Sequence, residues 1–159
     1  MTRGGLGFDV HAFDPSRPLI LGGVSIPEGP GLAGHSDADV LSHVVADALL
    51  GAARLGDLGG RFPATEEWKD ADSIAILREC SAALTVGGWS VSNVDATVIA
   101  QSPRITPYTD QMIDNLAAAL GISTDAVSVK ATTTDGMGGI GRKEGIAAMA
   151  VVLIESVVD

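Results

Sequence analysis

Residues 38–55, ADVLSHVVADALLGAARL, constrain the fold more than any other stretch of this chain. Val40, Leu41, Val44, Val45, Ala48, Leu49 and Ala52 recur at helical spacing and make a broad apolar stripe. A helix this apolar has to be covered by other elements. Ser36, Asp37 and Asp39 supply capping and first-turn acid, and Gly56 is expected to close the helix.

The flanking segments say what covers it. A second helix is expected over about 72–86, where Ile74, Leu77, Cys80 and Leu84 share a face before Gly87-Gly88. Thr106 as cap and Pro107 at the first helical position open a third, running to Leu120-Gly121. Residues 5–13, 89–101, 126–134 and 146–157 read as strands, and the proline-bracketed 18–27 as a short hairpin. The order is α+β (mixed α/β): one domain over residues 1–159, with about three helices on one face of a mostly four-stranded sheet. The last strand is almost wholly apolar, which calls for an interior or interface position.

Composition sets the remaining bounds. A net charge of −10 argues against general nucleic-acid binding, which wants a basic face. No stretch approaches the roughly 20 apolar residues of a membrane span. The single Cys80 cannot form an internal disulfide, so the expected compartment is cytoplasmic, with Cys80 a buried small hydrophobe. The acidity aids solubility. It also means that an anionic substrate would need local neutralisation by metal ions or a few placed cations.

Against that background the motif GFDVHAF, residues 7–13, stands out. Alternate residues of a strand share a face, so Asp9 and His11 point the same way. His43 lies on the long helix, with Asp47 four residues on along the same face. A histidine and an aspartate from a strand with a histidine from a helix form a nitrogen–oxygen ligand set with an open position, the pattern of a catalytic zinc site. Asp47 is either an acceptor that orients the His43 ring or simply an exposed acid. The segment KATTTDGMGGIGR, residues 130–142, offers hydroxyls, backbone N–H groups and the Asp135 carboxylate, which suit phosphate oxygens and magnesium. An ordinary β-turn explains the composition equally well, and no GxxxxGK[ST] is present. His35 and Ser36 come at the end of a glycine loop just before the helix start, and LGDLGGRFP follows its end.

GFDVHAF, AGHSDADVLSHVVADALLGAARLGDLG, FP, VDATVIAQSPR and VKATTTDGMGGIGRKEGIA together resemble the 2-C-methyl-D-erythritol 2,4-cyclodiphosphate synthase family, in the same order along nearly the whole chain. The resemblance implies a homotrimer with sites between subunits. It implies a reaction of the non-mevalonate isoprenoid pathway in which 4-diphosphocytidyl-2-C-methyl-D-erythritol 2-phosphate cyclises and releases CMP. By resemblance, Asp9, His11 and His43 match zinc ligands, and Asp135 stands where a magnesium-side glutamate is frequent. His35 and Thr133 match groups that steady the transferring phosphoryl. Ser36, Asp57, Leu58 and Gly59 match contacts to the methylerythritol phosphate, with Phe62, Pro63, Ala64, Thr65 and Glu66 beside them. The cytidine pocket corresponds to Ala100, Gln101, Ser102, Pro103, Arg104, Ile105 and Thr106, with Ala131, Thr132, Thr133 and Thr134. Arg142 and Gly139 line the position of a central cavity that holds an isoprenoid diphosphate in some members.

The chain departs from the family at three of these places. Ala64-Thr65-Glu66 replaces the usual DTD after FP, removing an acid, and Arg104 replaces a common lysine. Gly139 stands where several members have phenylalanine. The competing readings are a metal-dependent phosphohydrolase, with zinc activating water, and a non-catalytic trimeric protein that binds an isoprenoid diphosphate.

Overall fold

The long first strand, β1 (Thr2–Asp14), sets the frame of the molecule. In the computed structural model, which describes residues 1–157, β1 is followed by a hairpin of β2 (Leu19–Leu21) and β3 (Val24–Ile26). A two-residue edge strand, β4 (Gly31–Leu32), pairs back onto β1 through Phe13 and Asp14. The helices α1 (Val40–Ala53), α2 (Leu58–Arg61) and α3 (Ser73–Val86) come next, then β5 (Trp89–Ile99), α4 (Thr109–Leu120) and β6 (Val127–Thr132). A short α5 (Gly138–Gly141) and the strand β7 (Gly145–Ser156) finish the described chain.

The main sheet has the order β4-β1-β7-β5-β6. It is antiparallel except where β6 lies parallel to β5 after the crossover through α4. The sheet is therefore five-stranded where the sequence suggests mostly four. The added strand sits inside the glycine-rich loop, where two residues show no alternation to read. As expected, β7 takes an interior position, between β1 and β5.

Sheet alternation sorts the side chains. Ile146, Ala148, Ala150, Val152 and Ile154 of β7 are buried with Val94, Ala96 and Val98 of β5, under the apolar stripe of α1. The opposite face leaves Leu6, Phe8, Val10, Met149, Val151 and Leu153 exposed, with Leu6 opposite Val151 and Phe8 opposite Met149. No helix among the described residues is long and apolar enough to cross a membrane.

Two helix ends differ from expectation. α1 stops on Arg54 in the left-handed conformation, whose N–H returns to the carbonyls of Gly51 and Leu50, so Gly56 lies two residues past the closing residue. Thr106–Tyr108 forms a separate 3₁₀ turn containing Pro107, and α4 begins after it at Thr109. The start of α1 is capped by Asp39, which is fully buried. Its carboxylate accepts from Ser42 N–H and Ser42 Oγ–H and from the N–H groups of Gly22 and Gly23, fastening the β2–β3 turn to the helix.

Candidate active site and metal centre

β1 presents Asp9 and His11 on the face toward α1, the face that Gly5 and Gly7 also occupy. Those glycines let the helix come down onto the strand. A Cβ on Gly5 would lie 1.9 Å from the Ala48 carbonyl oxygen, and one on Gly7 would lie 2.0 Å from that of Val44. The helix thus lies directly on the strand backbone, one turn of α1 over each glycine. This contact carries His43 to the pair on β1.

The result is a compact ligand set. His11 Nε2 lies 2.8 Å from Asp9 Oδ2, and His43 Nδ1 lies 3.4 Å from the same oxygen. One donor atom from each of the three residues fits within 4.8 Å of the others. Two imidazole nitrogens and one carboxylate oxygen form a donor set suited to a divalent transition metal. The His11 tautomer is set from behind. Its Nδ1–H donates to the Ala33 carbonyl at 2.5 Å, which leaves Nε2 facing Asp9.

Electrostatics agree with the geometry. Burial works against ionisation of Asp9, yet the His11 and His43 imidazoles beside it outweigh burial and hold the carboxyl well below its usual range. The hydrogen bond to Asp9 raises His11 above its ordinary value against burial, with help from the Ala33 carbonyl.

A cavity of about 300 Å³ opens over this set, lined by Asp9, His11, His35, Ser36, His43, Leu58, Gly59, Phe62, Ala64, Trp68 and Ile76. Phe62 and Trp68 meet edge to face at 4.7 Å and form an apolar wall. His35 Nε2–H donates to the Thr65 carbonyl at 2.6 Å. Its loop is held by Arg17, whose guanidinium donates to the carbonyls of Gly34 and Ser36 on either side, while Asp70 N–H donates to the His35 carbonyl at 2.9 Å. Asp57 caps α2 by accepting from Gly60 N–H at 2.7 Å. Asp47 accepts from Leu58 N–H at 3.0 Å, so it anchors α2 and leaves the orientation of His43 to other groups.

A second cavity, of about 270 Å³, is lined by Ala100, Gln101, Pro103, Arg104, Ile105, Thr106, Ala131, Thr132 and Thr133. It shares no lining residue with the first. Beside it Asp135 adopts a left-handed conformation (φ 52°), and its N–H donates to Thr133 Oγ1 at 3.1 Å. Gly136 N–H donates to Gln101 Oε1 at 3.0 Å. Ser102, Thr134, Asp135, Gly139 and Arg142 lie outside both linings, as do Asp57, Pro63, Thr65 and Glu66. Arg142 pairs with Glu144 at 3.3 Å, both exposed.

The YgbB family profile matches residues 2–155. The chain belongs to the YgbB family. It is 57% identical over 155 residues to a 2-C-methyl-D-erythritol 2,4-cyclodiphosphate synthase of Salinibacter ruber, covering 97% of this chain and 99% of that protein. Among solved structures it is similar to the bifunctional IspDF of Campylobacter jejuni, with 42% identity and a TM-score of 0.94. That match takes in 98% of this chain and 42% of the bifunctional protein, so this chain spans less than half of it. It is also similar to the CDP complex of Plasmodium falciparum IspF, with 33% identity and a TM-score of 0.85 over 98% of this chain and 96% of that one.

Within this YgbB-family site, several cavity and support residues carry no signal in sequence. Trp68 and Ile76 join the wall from a 3₁₀ turn and from α3. Ser73 and Asp37 sit behind His43, and Arg17 behind His35. Ser73 reaches His43 across 30 residues and Arg17 reaches the His35 loop across 17, and local periodicity does not extend that far.

Proposed function

We propose that this chain catalyses the cyclisation of 4-diphosphocytidyl-2-C-methyl-D-erythritol 2-phosphate to 2-C-methyl-D-erythritol 2,4-cyclodiphosphate with release of CMP, a lyase step of the non-mevalonate (MEP) route to isoprenoids. One observation carries the reading. Asp9, His11 and His43 converge under a cavity in a chain more than half identical to a cyclodiphosphate synthase along nearly its full length.

In the reaction an oxygen of the 2-phosphate bonds to the β-phosphorus, and the bond from that phosphorus to the CMP oxygen breaks. The attacking phosphate is already ionised, so no general base is needed. The obstacle is the repulsion between two anionic phosphates, which grows as water is excluded. Asp9, His11 and His43 would hold Zn²⁺ or another divalent transition metal, and Asp135 would stand on the Mg²⁺ side; ions so held would supply Lewis-acid stabilisation of the phosphate oxygens. The protein's own part is placement. His35 sits on a braced loop with its ring N–H available once it leaves the Thr65 carbonyl, and Thr133 offers a hydroxyl at the second cavity. Both donate to the transferring phosphoryl group.

Ser36, Asp57, Leu58, Gly59 and the Phe62–Glu66 segment contact the methylerythritol phosphate. The second cavity takes the cytidine, a reading supported by the CDP bound to the Plasmodium relative. One chain keeps its two cavities separate, so the complete site joins the metal cavity of one subunit to the cytidine cavity of a neighbour in a homotrimer. The exposed apolar face of β1 and β7 supports this assembly, because six large apolar side chains gathered on one sheet face are unusual for a free surface. Arg142 and Gly139 then border a central cavity for an isoprenoid diphosphate. Residues 1–159 act as one cyclodiphosphate synthase-like domain, working in the cytoplasm.

Phosphorus NMR of the protein with the diphosphocytidyl substrate, zinc and magnesium tests the reading. Cyclic diphosphate and CMP are expected. A linear product would instead mark a phosphohydrolase, and no turnover from a metal-loaded protein would mark a binding protein.

A further inference from the structure

Behind the metal cavity, buried polar groups from α3 and the His35 loop close on the outer nitrogen of His43. Ser73, the first residue of α3, is 1% exposed, and its Oγ lies 2.9 Å from His43 Nε2. The hydroxyl has one proton, and the Asp37 carboxylate takes it: Ser73 Oγ–H donates to Asp37 Oδ1. That carboxylate is itself fixed by Ser73 N–H at 3.0 Å and Asp39 N–H at 3.1 Å, and a carboxylate can only accept. With its proton committed, Ser73 Oγ can meet His43 only as an acceptor. Ser36 Oγ stands 3.0 Å from the same nitrogen and accepts Ala38 N–H, but its proton is not directed by a carboxylate. Of the two hydroxyls, only Ser73 has a fixed direction.

We propose that Ser73, held by Asp37, is a positioning residue for His43: it accepts the Nε2 proton and so presents Nδ1 to the Asp9 side as an unprotonated electron-pair donor. The proposal rests on reading Asp9, His11 and His43 as a metal centre. It gives the two imidazoles matching arrangements with opposite nitrogens. His11 is turned by the Ala33 carbonyl to offer Nε2, and His43 is turned by Ser73 to offer Nδ1. Hydrogen-bonded partners of this kind orient ligating rings and raise their basicity. It also gives the start of α3 a task beyond capping, since Asp72 already caps that helix by accepting from Ile74 N–H.

Ser73→Ala removes the hydroxyl while keeping both the Asp72 cap and the backbone N–H that binds Asp37. Two readouts test it. Long-range proton–nitrogen NMR of the metal-free parent should show His43 as the Nε2–H tautomer, and Ser73→Ala should give a mixture. Competition with a chromophoric chelator should show zinc and cobalt(II) bound roughly 10–100-fold more weakly by Ser73→Ala, with Ser73→Thr restoring affinity. An Nδ1–H tautomer in the parent overturns the proposal. So does a Ser73→Ala protein that melts lower when metal-free yet binds metal as the parent does, because Ser73 would then serve the fold alone. A parent that takes up neither zinc nor cobalt(II) overturns the metal reading, and the proposal with it.

Discussion

The seat of α1 on β1 invites a direct perturbation, Gly7→Ala. An alanine Cβ at this position lies 2.0 Å from the Val44 oxygen, 2.8 Å from its carbonyl carbon and 3.0 Å from its Cα. Ordinary contact begins near 3.4 Å, so the helix has to withdraw by about 1.4 Å. The obstructing atoms are helix backbone, which cannot swing aside as a side-chain tip can. Overpacking of this kind costs roughly 1–3 kcal/mol, and the upper end applies where backbone must move. At about 2–4 °C per kcal/mol for a chain of this size, the melting temperature should fall by roughly 6–12 °C. Val44 follows His43 directly, so the same withdrawal widens the 3.4 Å gap between His43 and Asp9 and should weaken metal binding. Thermal unfolding and chelator competition on purified Gly7→Ala read both effects. A variant that melts within a degree of the parent and binds metal equally well would refute the close-approach argument.

Four further outcomes are expected. His11 is raised by Asp9, so its contribution to the stability of the metal-free protein is complete below its unfolded value of 6.5 and is lost as pH rises through the folded value. Melting temperatures across pH 6–9 should decline, with a flatter profile in His11→Asn. The Cys80 thiol is buried and pushed up to about 12, so a thiol reagent at about pH 8 should label it only after unfolding. Phe8→Glu places a charge on the open apolar face, and sedimentation should then show smaller assemblies than the parent forms. Ala64→Asp returns an acid to the rim of the metal cavity, and one regained hydrogen bond should tighten substrate binding by about 1–3 kcal/mol, read as a lower KM.

What the chain reveals without a structure is whatever repeats over short distances. The stripe from Val40 to Ala52 requires a covered helix. The alternation of GFDVHAF puts Asp9 and His11 on one face. The apolar run after Gly145 requires an interior strand. Each follows from bond geometry within a few residues, at periods of 3.6 and 2. The positions of α1 and α4 could be read to within a turn. Their ends could not, since Arg54 in place of Gly56 closes α1, and Pro107 belongs to a separate turn.

The tertiary structure decided what meets what. Asp9 and His43 are 34 residues apart, and they come together because Gly5 and Gly7 lack the side chains that would hold α1 away. Ser73 finds His43 across 30 residues because α3 starts against the loop that carries Asp37. β4 is a strand only because β1 lies beside it. Such contacts depend on register and on the absence of atoms at particular points. Periodicity records neither of these, so the chemistry of the site is written in the residue types and its geometry only in the packing.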